Sequence, residues 1–394
     1  MRPSTRDELD VARSRAVPDE DPVSRGRSAR PSAHASRSTV DTPSVDPFAP
    51  VSGPIDRLLS DFLDTQVDEL VELDPALATV GREIAGLVAA GGKRLRPAFV
   101  YWGHRATGAD HDHAVLHPAG AVELLHTFAL IHDDVMDRSD ERRGRPAVHS
   151  ALTTAHADEG LAGDPAWFGV GGAILAGDLA FVWADRLLDE AAVPVDALER
   201  ARRVFTQLRV EVMAGQYLDL RLAGDRGADE ERARRVALLK SGRYTVTRPL
   251  QLGAALGEEG SAIDDVLTSY GDAVGLAFQL RDDVLGLFGD PAETGKGATE
   301  DLREGKRTLL VLRALAFAGE ADRATLEATL GQDHLGEDDA DRARQIVVDS
   351  GALRSVERLL SAQHERAHEA AQALPEPARA ALVELADRAV ARIE

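Results

Sequence analysis

From about residue 54 to the end of the chain, apolar residues recur at the spacing of one helical face, and no other feature constrains the fold as much. Leu58, Phe62 and Leu70 are an example. Residues at i, i+3, i+4 and i+7 share one face of an α-helix, whereas a half-buried strand needs strict alternation. Aromatic residues make up only 4% of the chain, and strands favour aromatic and β-branched clusters. The sequence therefore predicts an all-α fold of roughly a dozen helices.

The first fifty residues differ from the rest. They contain seven of the 18 prolines and many Ser and Arg, while apolar residues are sparse. Such a segment cannot bury enough apolar area to offset its ordering entropy, so we predict a disordered extension over 1–50 and one all-α domain over 51–394. A transit peptide is the alternative, but transit peptides are poor in acidic residues, and this segment has eight Asp plus Glu against eight Arg.

Composition excludes several classes of protein. The formal charge of −21 argues against nucleic-acid binding, which needs a basic surface. The chain has no cysteine, so zinc–thiolate sites, iron–sulfur clusters and cysteine nucleophiles are excluded. Its beginning has no apolar leader, and no run of about 18 uncharged apolar residues occurs, so we expect a cytoplasmic enzyme without a membrane span.

Two acidic clusters lie in apolar helical stretches. In IHDDVMD, Asp133 and Asp137 are four residues apart and project from one helical face about 6 Å apart, with Asp134 between them. In FQLRDD, Asp282 and Asp283 form a second pair. Carboxylates this close raise one another's pKa unless a cation lies between them, and Mg²⁺ prefers oxygen ligands. Either cluster alone also fits a helix cap or a solvated surface.

Cations beside Gly and Pro turns indicate anion sites, since glycine lets the backbone approach an anion and arginine binds phosphate through two hydrogen bonds. Each of them alone also fits a solvated surface charge. These cations are Lys93, Arg94, Arg96, Arg142, Arg143, Lys240, Lys296 and Lys306.

The order of the motifs resembles that of the trans-isoprenyl diphosphate synthases (the polyprenyl synthetase family), in particular short-chain members that make farnesyl or geranylgeranyl diphosphate. The motifs follow one another between Gly91 and Leu310 as GGKRLRP, ELLHTFALIHDDVMD, RRGRPAVH, LAGD, GQYLDL, KSGRYT, FQLRDD, TGK and DLREGK. The resemblance implies a helical bundle of the isoprenoid synthase type around a central cavity, and a homodimer. It also implies a Mg²⁺-dependent prenyltransferase that joins isopentenyl diphosphate to dimethylallyl, geranyl or farnesyl diphosphate.

The resemblance also implies roles for individual residues. Asp133, Asp137 and Asp282 would bind three Mg²⁺ ions on the allylic diphosphate, with Asp134 and Asp283 close behind. Further contacts to that diphosphate are implied for Arg142, Lys240, Ser241, Gln279 and Lys296. Contacts to isopentenyl diphosphate are implied for Lys93, Arg96, His126 and Arg143. Lys306 would help to close the mouth of the site, and His132 would pack or support the aspartates.

These roles agree with the chemistry of an allylic diphosphate. Diphosphate leaves poorly until its charge is neutralised, and three Mg²⁺ would supply about +6 against roughly −3 from diphosphate and −3 or −4 from aspartates. Fixed cations at the departing group lower the barrier, because negative charge develops there. Holding the isopentenyl double bond in line makes the attack internal. No protein nucleophile is needed, since the released diphosphate takes the final proton in this family.

Two positions bear on the details. Gly286 stands where many family members have the last aspartate of a second DDxxD motif, so the cation there would depend on Asp282 and Asp283. In the family, residues just before the first acidic motif form the floor of the hydrophobic tunnel. A bulky Phe128 followed by a small Ala129 resembles enzymes that stop at geranylgeranyl diphosphate. Phe128 as an ordinary core residue fits any product, so farnesyl or longer products stay open.

Other classes are less consistent with the motifs. A terpene cyclase uses one diphosphate, which would leave GGKRLRP and RRG without a role. An inactive regulatory partner subunit would be expected to lose an acidic motif, and a helical scaffold would need neither. We interpret four histidines as solvated side chains of a polar loop, not as a metal site: His104, His111, His113 and His117.

Overall fold

The chain is described by a computed structural model over residues 46–110, 113–225, 227–258, 260–289, 300–332 and 334–391. The predicted extension therefore lies outside the described residues except for 46–50. Those five residues form a turn against the helical body, where Trp102 Nε1 donates to the Pro47 carbonyl at 2.8 Å and Phe48 packs on the core.

The all-α prediction is confirmed, and the number of helices exceeds a dozen because several are short. The helices are α1 (Ser52–Leu73), α2 (Ala78–Ala89), α3 (Leu95–Arg105), α4 (Leu116–Asp137), α5 (Val148–Asp158), α6 (Pro165–Asp189), α7 (Val195–Gly224), α8 (Glu230–Val236), α9 (Arg248–Ala254), α10 (Asp264–Phe288), α11 (Glu300–Arg303), α12 (Leu309–Phe317), α13 (Glu320–Thr329), α14 (Glu337–Asp349), α15 (Ala352–Ala371) and α16 (Ala378–Ala391). Short 3₁₀ turns cover Pro75–Leu77, His113–Val115 and Gly260–Ile263. Among the described residues, strands are limited to an antiparallel pair, Glu141–Arg142 and Arg145–Pro146.

Helices α4 and α10, which carry the two acidic motifs, lie in the interior of the bundle. Helix α4 packs against α6 and α3, and its Leu124, Leu125 and Ile131 are fully buried. Helix α10 packs against α15, and its residues contribute to two apolar cores, with Tyr270 in one and Leu280 in the other. Apolar residues on most sides of both helices thus fix where their aspartates emerge.

A π-helical segment over Ala237–Thr247 joins α8 to α9 without a break in the helix. It crosses α10 with backbone against backbone. A Cβ atom on Gly242 would lie 3.1 Å from the carbonyl carbon of Gly275, and a Cβ atom on Gly275 would overlap Gly242 in turn. Only glycine at both positions allows this approach, which brings Lys240 and Ser241 beside the acidic end of α10.

The interpretation of the histidine group as a polar loop is wrong for two of its members. His104 lies in α3 and is 5% exposed, because α9 covers this face of α3: a Cβ atom on Gly253 would lie 2.8 Å from the His104 backbone nitrogen. His117 is half-buried in α4, while His113 is exposed in a 3₁₀ turn. His111 lies outside the described residues.

Two stretches, His113–Asp137 and Pro165–Asp189, have the length and apolar composition to cross a membrane, which the sequence analysis did not predict. The first stretch includes α4, and most of it lies inside the bundle. The second is α6, which packs on α4 and α5 along one side and exposes Trp167, Leu175 and Val182 along the other. Of these two stretches, α6 is therefore the one that leaves a row of large apolar side chains exposed.

Candidate active site

Several of the polar groups named from the sequence line a cavity of about 650 Å³. It is lined from α7, the π-helical segment, α10, the short strands and the residues after α11. Its polar lining includes Arg142, Arg143, Asp219, Lys240, Ser241, Gln279, Asp282, Asp283, Asp301 and Lys306.

The first acidic motif occupies the last turn of α4. Gln216 Nε2 donates to Asp133 Oδ1 at 2.6 Å, and Lys240 Nζ lies 3.7 Å from the same oxygen. Burial, and after it the charge of Asp133, raises the pKa of Asp137 to about 6. Lys240 therefore offsets only part of the negative charge of Asp133 and Asp137.

Asp134, between the two, is 1% exposed. Arg142 Nε donates to Asp134 Oδ1 at 2.8 Å, and Arg142 also lines the polar cavity. Asp134 thus holds a guanidinium group at the cavity wall, a function that local spacing could not show.

The second acidic motif lies near the end of α10. Asp283 is 5% exposed and accepts a hydrogen bond from Gln279 Nε2 at 2.7 Å. Burial raises the pKa of Asp283 to about 8. The hydrogen bond from Gln279 lowers this pKa, while the negative charges of Asp301 and Asp282 raise it further. A second group of crowded carboxyls therefore faces the cavity.

Asp301, from α11, completes this second group and was missed by the sequence analysis. A Cβ atom on Gly286 would overlap the Asp301 carboxylate, so the small residue in the acidic motif makes room for an acid from elsewhere. Lys306 Nζ lies 3.3 Å from Asp301 Oδ1 and also pairs with Glu304. Burial would lower the pKa of Lys306, but these two carboxylates outweigh it and raise the pKa. The sequence signal that could have identified Asp301 is its position as the first residue of the motif DLREGK.

Lys240 connects the two acidic groups through Asp219. Its Nζ lies 2.7 Å from Asp219 Oδ2 as well as 3.7 Å from Asp133 Oδ1. Burial would lower the pKa of Lys240, and the two aspartates outweigh it and raise the pKa. Asp219, one turn after Gln216 on α7, was not singled out, although GQYLDL contains both residues.

A second cationic group lies on the other side of the first acidic motif. Arg96 Cζ sits 4.5 Å above the Tyr244 ring, and the Tyr244 hydroxyl lies 2.9 Å from His126 Nδ1. Arg143 Nη2 lies 3.5 Å from His126 Nε2. Burial, followed by the charges of Arg96 and Arg143, holds the pKa of His126 well below its usual range. His126 is therefore neutral and stands among cations.

Lys93 joins this second group through its loop. The loop has positive φ at Gly91 and Gly92 (84° and 155°), and a Cβ atom on Gly92 would lie 3.2 Å from Arg143 Nη2. The Lys93 side chain itself is exposed. The structure therefore brings together Arg96, His126 and Arg143, and it places the loop that carries Lys93 next to Arg143.

An adjoining cavity of about 540 Å³ has a mostly apolar lining that includes Phe128, Ala129, Val212 and Met213. Phe128 is 9% exposed, and its ring contacts His132 and Phe181 with centroids 4.7 and 5.1 Å away. His132 Nε2 lies 3.0 Å from the Ile174 carbonyl oxygen. Lys240 and Ser241 line both cavities, so a polar space and an apolar space meet at these two residues.

Two further predicted cations, Lys296 and Arg94, need separate mention. Lys296 lies outside the described residues. Arg94 is 5% exposed and donates to Glu123 Oε1 at 2.7 Å and to Asp56 Oδ1 at 2.8 Å. The anion site suggested for Arg94 is therefore wrong, because this guanidinium already ties α1 to α4.

The carboxyl groups suit Mg²⁺ chemically. The candidate ligands Asp133, Asp137 and Asp282 offer only oxygen donors, which Mg²⁺ prefers. The raised pKa of Asp137 also shows negative charge that a cation would relieve.

Comparisons with known proteins agree with this geometry. The model of the family described as "Polyprenyl synthetase" matches residues 79–347. A geranylfarnesyl diphosphate synthase from Aeropyrum pernix is 33% identical over 82% of this chain and 92% of its own. A geranylgeranyl diphosphate synthase from Saccharolobus solfataricus is 36% identical over 66% of this chain and 74% of its own.

A solved structure shows the same fold. It is a geranylgeranyl pyrophosphate synthase from Corynebacterium glutamicum complexed with isoprenyl diphosphate and magnesium, with a TM-score of 0.82 and 36% identity. The match covers 88% of this chain and 99% of that one. The chain therefore belongs to the polyprenyl synthetase family. It is a prenyltransferase of the kind that elongates isoprenyl diphosphates.

Proposed function

We propose that this prenyltransferase joins isopentenyl diphosphate to dimethylallyl, geranyl or farnesyl diphosphate and releases geranylgeranyl diphosphate. The observation that carries the proposal is the meeting of a polar cavity and an apolar cavity at Lys240 and Ser241. An allylic diphosphate has the matching shape, with a charged head for the first space and an isoprenoid tail for the second.

The head of the allylic substrate lies between Asp133, Asp137 and Asp282 in this proposal, with about three Mg²⁺ ions among them. Mg²⁺ held by these residues would supply the positive charge that the diphosphate needs before the allylic C–O bond can ionise. Lys240 adds a fixed cation beside Asp133. Arg142, Ser241 and Gln279 face the same cavity, and Lys296 and Lys306 complete the set of contacts.

Isopentenyl diphosphate binds the group of Lys93, Arg96, His126 and Arg143 in this proposal. Arg96 and Arg143 flank His126, so two guanidinium groups face one diphosphate. A neutral imidazole still carries one N–H group, so His126 can donate one hydrogen bond to the diphosphate without being protonated. This holds the isopentenyl double bond near the allylic carbon, and the departing diphosphate takes the proton lost when the new bond has formed.

The product length follows from Phe128 and Ala129. Both line the apolar cavity, and the Phe128 ring is fixed by its contacts with His132 and Phe181. We propose that the ring forms the floor of the tunnel once four isoprene units fill it. A farnesyl product would need a higher floor, and a longer product would need the ring to move aside.

The exposed apolar side of α6 supports a homodimer. Trp167, Leu175 and Val182 are 73%, 64% and 60% exposed, and apolar area of this kind is stabilised by burial against a partner. A second copy of the chain is the proposed partner. The cytoplasmic location remains a prediction.

The main test is incubation with isopentenyl diphosphate, Mg²⁺ and each allylic starter in turn, with product length read by mass spectrometry. We expect a twenty-carbon product from all three starters. Asp133→Asn and Asp282→Asn should each lower kcat by at least about a hundredfold, because charge stabilisation at the leaving group is lost. Asp68→Asn, at an exposed position of α1, is the matched control. Undiminished turnover in both site variants would contradict the proposal.

A further inference from the structure

A cluster of two histidines and an aspartate lies apart from the active-site cavities, between α15 and α16. The side chains are His364 and His368 from α15 and Asp387 from α16. His364 Nε2 and His368 Nε2 lie 2.6 and 2.7 Å from the same atom, Asp387 Oδ1. The imidazole rings lie 4.3 Å apart between centroids. One possible ligand atom from each residue therefore lies within 4.8 Å of the other two.

The local sequence explains this convergence. His364 and His368 are four residues apart in the run HERAH, so they project from one helical face, one turn apart. A helix with H-E-x-x-H spacing presents two imidazoles to one metal ion. The third group comes from the next helix, α16, which packs on α15 and supplies the carboxylate.

We propose that His364, His368 and Asp387 bind a divalent transition metal ion of the Zn²⁺ class, with water in the remaining position. Two imidazole nitrogens and one carboxylate oxygen suit Zn²⁺ and its neighbours, whereas Mg²⁺ prefers oxygen alone. Metal binding would replace the two hydrogen bonds. The nitrogen–oxygen distances would then open to about 3.3 Å, which follows from tetrahedral ligands at about 2.0 Å from the metal. The side chains are 30%, 33% and 46% exposed, so they have room for this adjustment.

The position of the site indicates a structural function. Tyr270 Oη and Arg281 Nε on α10 donate to the carbonyl oxygens of Leu382 and Val390 on α16, at 2.6 and 2.7 Å. An ion that joins α15 to α16 would therefore fasten the helix against which α10 rests. Neither described cavity includes the cluster, so no substrate chemistry is proposed for the ion.

The test is Zn²⁺ titration of the full chain after removal of metals, in excess Mg²⁺ and in competition with a chromophoric chelator. We expect one Zn²⁺ equivalent that Mg²⁺ does not displace, and a rise in Tm on Zn²⁺ binding. His364→Ala/His368→Ala should lose that equivalent, and Asp387→Asn should weaken it at least about tenfold, since ligand loss costs no less than loss of an outer hydrogen bond.

Glu365→Ala is the matched control, because Glu365 lies on the same helix, is exposed and is not a proposed ligand. It should bind Zn²⁺ as the unmodified chain does. If the double variant fails to fold, the single variants His364→Gln and His368→Gln decide in its place. Equal Zn²⁺ binding by the unmodified chain and the histidine variants would overturn the proposal, as would complete displacement by Mg²⁺.

Discussion

The carboxylate of Asp301 fills the space that a side chain on Gly286 would take. Asp301 comes from the neighbouring helix α11 and lines the same cavity as Asp282 and Asp283. Three carboxyl groups therefore stand at this end of the cavity, two from the motif on α10 and one from α11.

Removing the Asp301 carboxylate should therefore weaken Mg²⁺ binding. We expect Asp301→Asn to lower turnover at least about tenfold at limiting Mg²⁺ and to regain part of it at high Mg²⁺, since one charge near the metal is lost. Gly286→Asp alone should lower the free energy of unfolding by about 1–3 kcal/mol through overcrowding. Activity against Mg²⁺ concentration and urea unfolding are the measurements.

As a control, the carboxylate can be moved from position 301 to position 286. Asp301→Gly with Gly286→Asp places one carboxylate in the same space from the other side, so the double variant should be more active than Asp301→Gly alone. No gain in the double variant would show that the space is filled for packing only.

The buried carboxyl of Asp283 should make the metal-free protein sensitive to pH. Its pKa is raised from 3.8 to about 8, so between about pH 4 and pH 8 the folded chain holds a proton that the unfolded chain has released. Its contribution to the free energy of unfolding therefore falls as pH rises through this window. Asp283→Asn cannot ionise, so its stability relative to the unmodified chain should grow from pH 4 to pH 8.

Thermal unfolding in a chelator, repeated across this pH range, measures the difference. Asp68→Asn, at an exposed position of α1, controls for the loss of an acid elsewhere and should show no such trend. Stability curves that stay parallel for Asp283→Asn and the unmodified chain would contradict the raised pKa. Added Mg²⁺ should reduce the difference in stability between Asp283→Asn and the unmodified chain, because it favours the ionised carboxyl groups nearby.

Phe128 should set product length. Phe128→Ala removes the ring from the apolar cavity, and we expect products longer than twenty carbons. Phe→Ala in a core costs about 3–5 kcal/mol, so Phe128→Leu provides a milder variant with an intermediate shift. Ala129→Phe should act in the opposite direction and give fifteen carbons. Mass spectrometry of the extracted products gives the chain length for all three variants. An unchanged product length in each of them would contradict the proposal that Phe128 forms the floor of the tunnel.

The apolar side of α6 should hold two copies together. Leu175→Asp/Val182→Asp places two charges on that side and should convert the protein to a monomer, because burying them unpaired is costly. Light scattering with size-exclusion chromatography gives the mass. Phe317→Asp, 52% exposed at the end of α12, is the control and should keep the dimer. A monomer before any substitution would contradict the proposed assembly.

Local spacing was sufficient for the helices that carry the acidic motifs. Asp133 and Asp137 lie on α4, and Asp282 and Asp283 lie on α10, because apolar periodicity surrounds both clusters in the sequence. The helical class and the motif positions thus follow from information within about one helix length.

Long-range pairing could not be predicted in the same way. Arg94 and Arg96 look alike in GGKRLRP, yet Arg94 is buried against Glu123, 29 residues away, while Arg96 lines a cavity. Asp219 and Lys240 are 21 residues apart and meet only because α7 packs on the π-helical segment. Such partners depend on helix packing, which periodicity does not specify.

The π-helical segment should tolerate insertions and deletions of residues poorly. A π turn holds more residues than an α turn. If one residue between Lys240 and Arg248 were deleted and the remaining turns kept their width, everything after the deletion would shift in angle by about the 100° that one residue spans in an α-helix. Lys240 could stay beside Asp219 only if Arg248 left Glu211, to which its Nε donates at 2.8 Å. Variation by insertion or loss should therefore avoid these eleven positions even where single replacements are accepted.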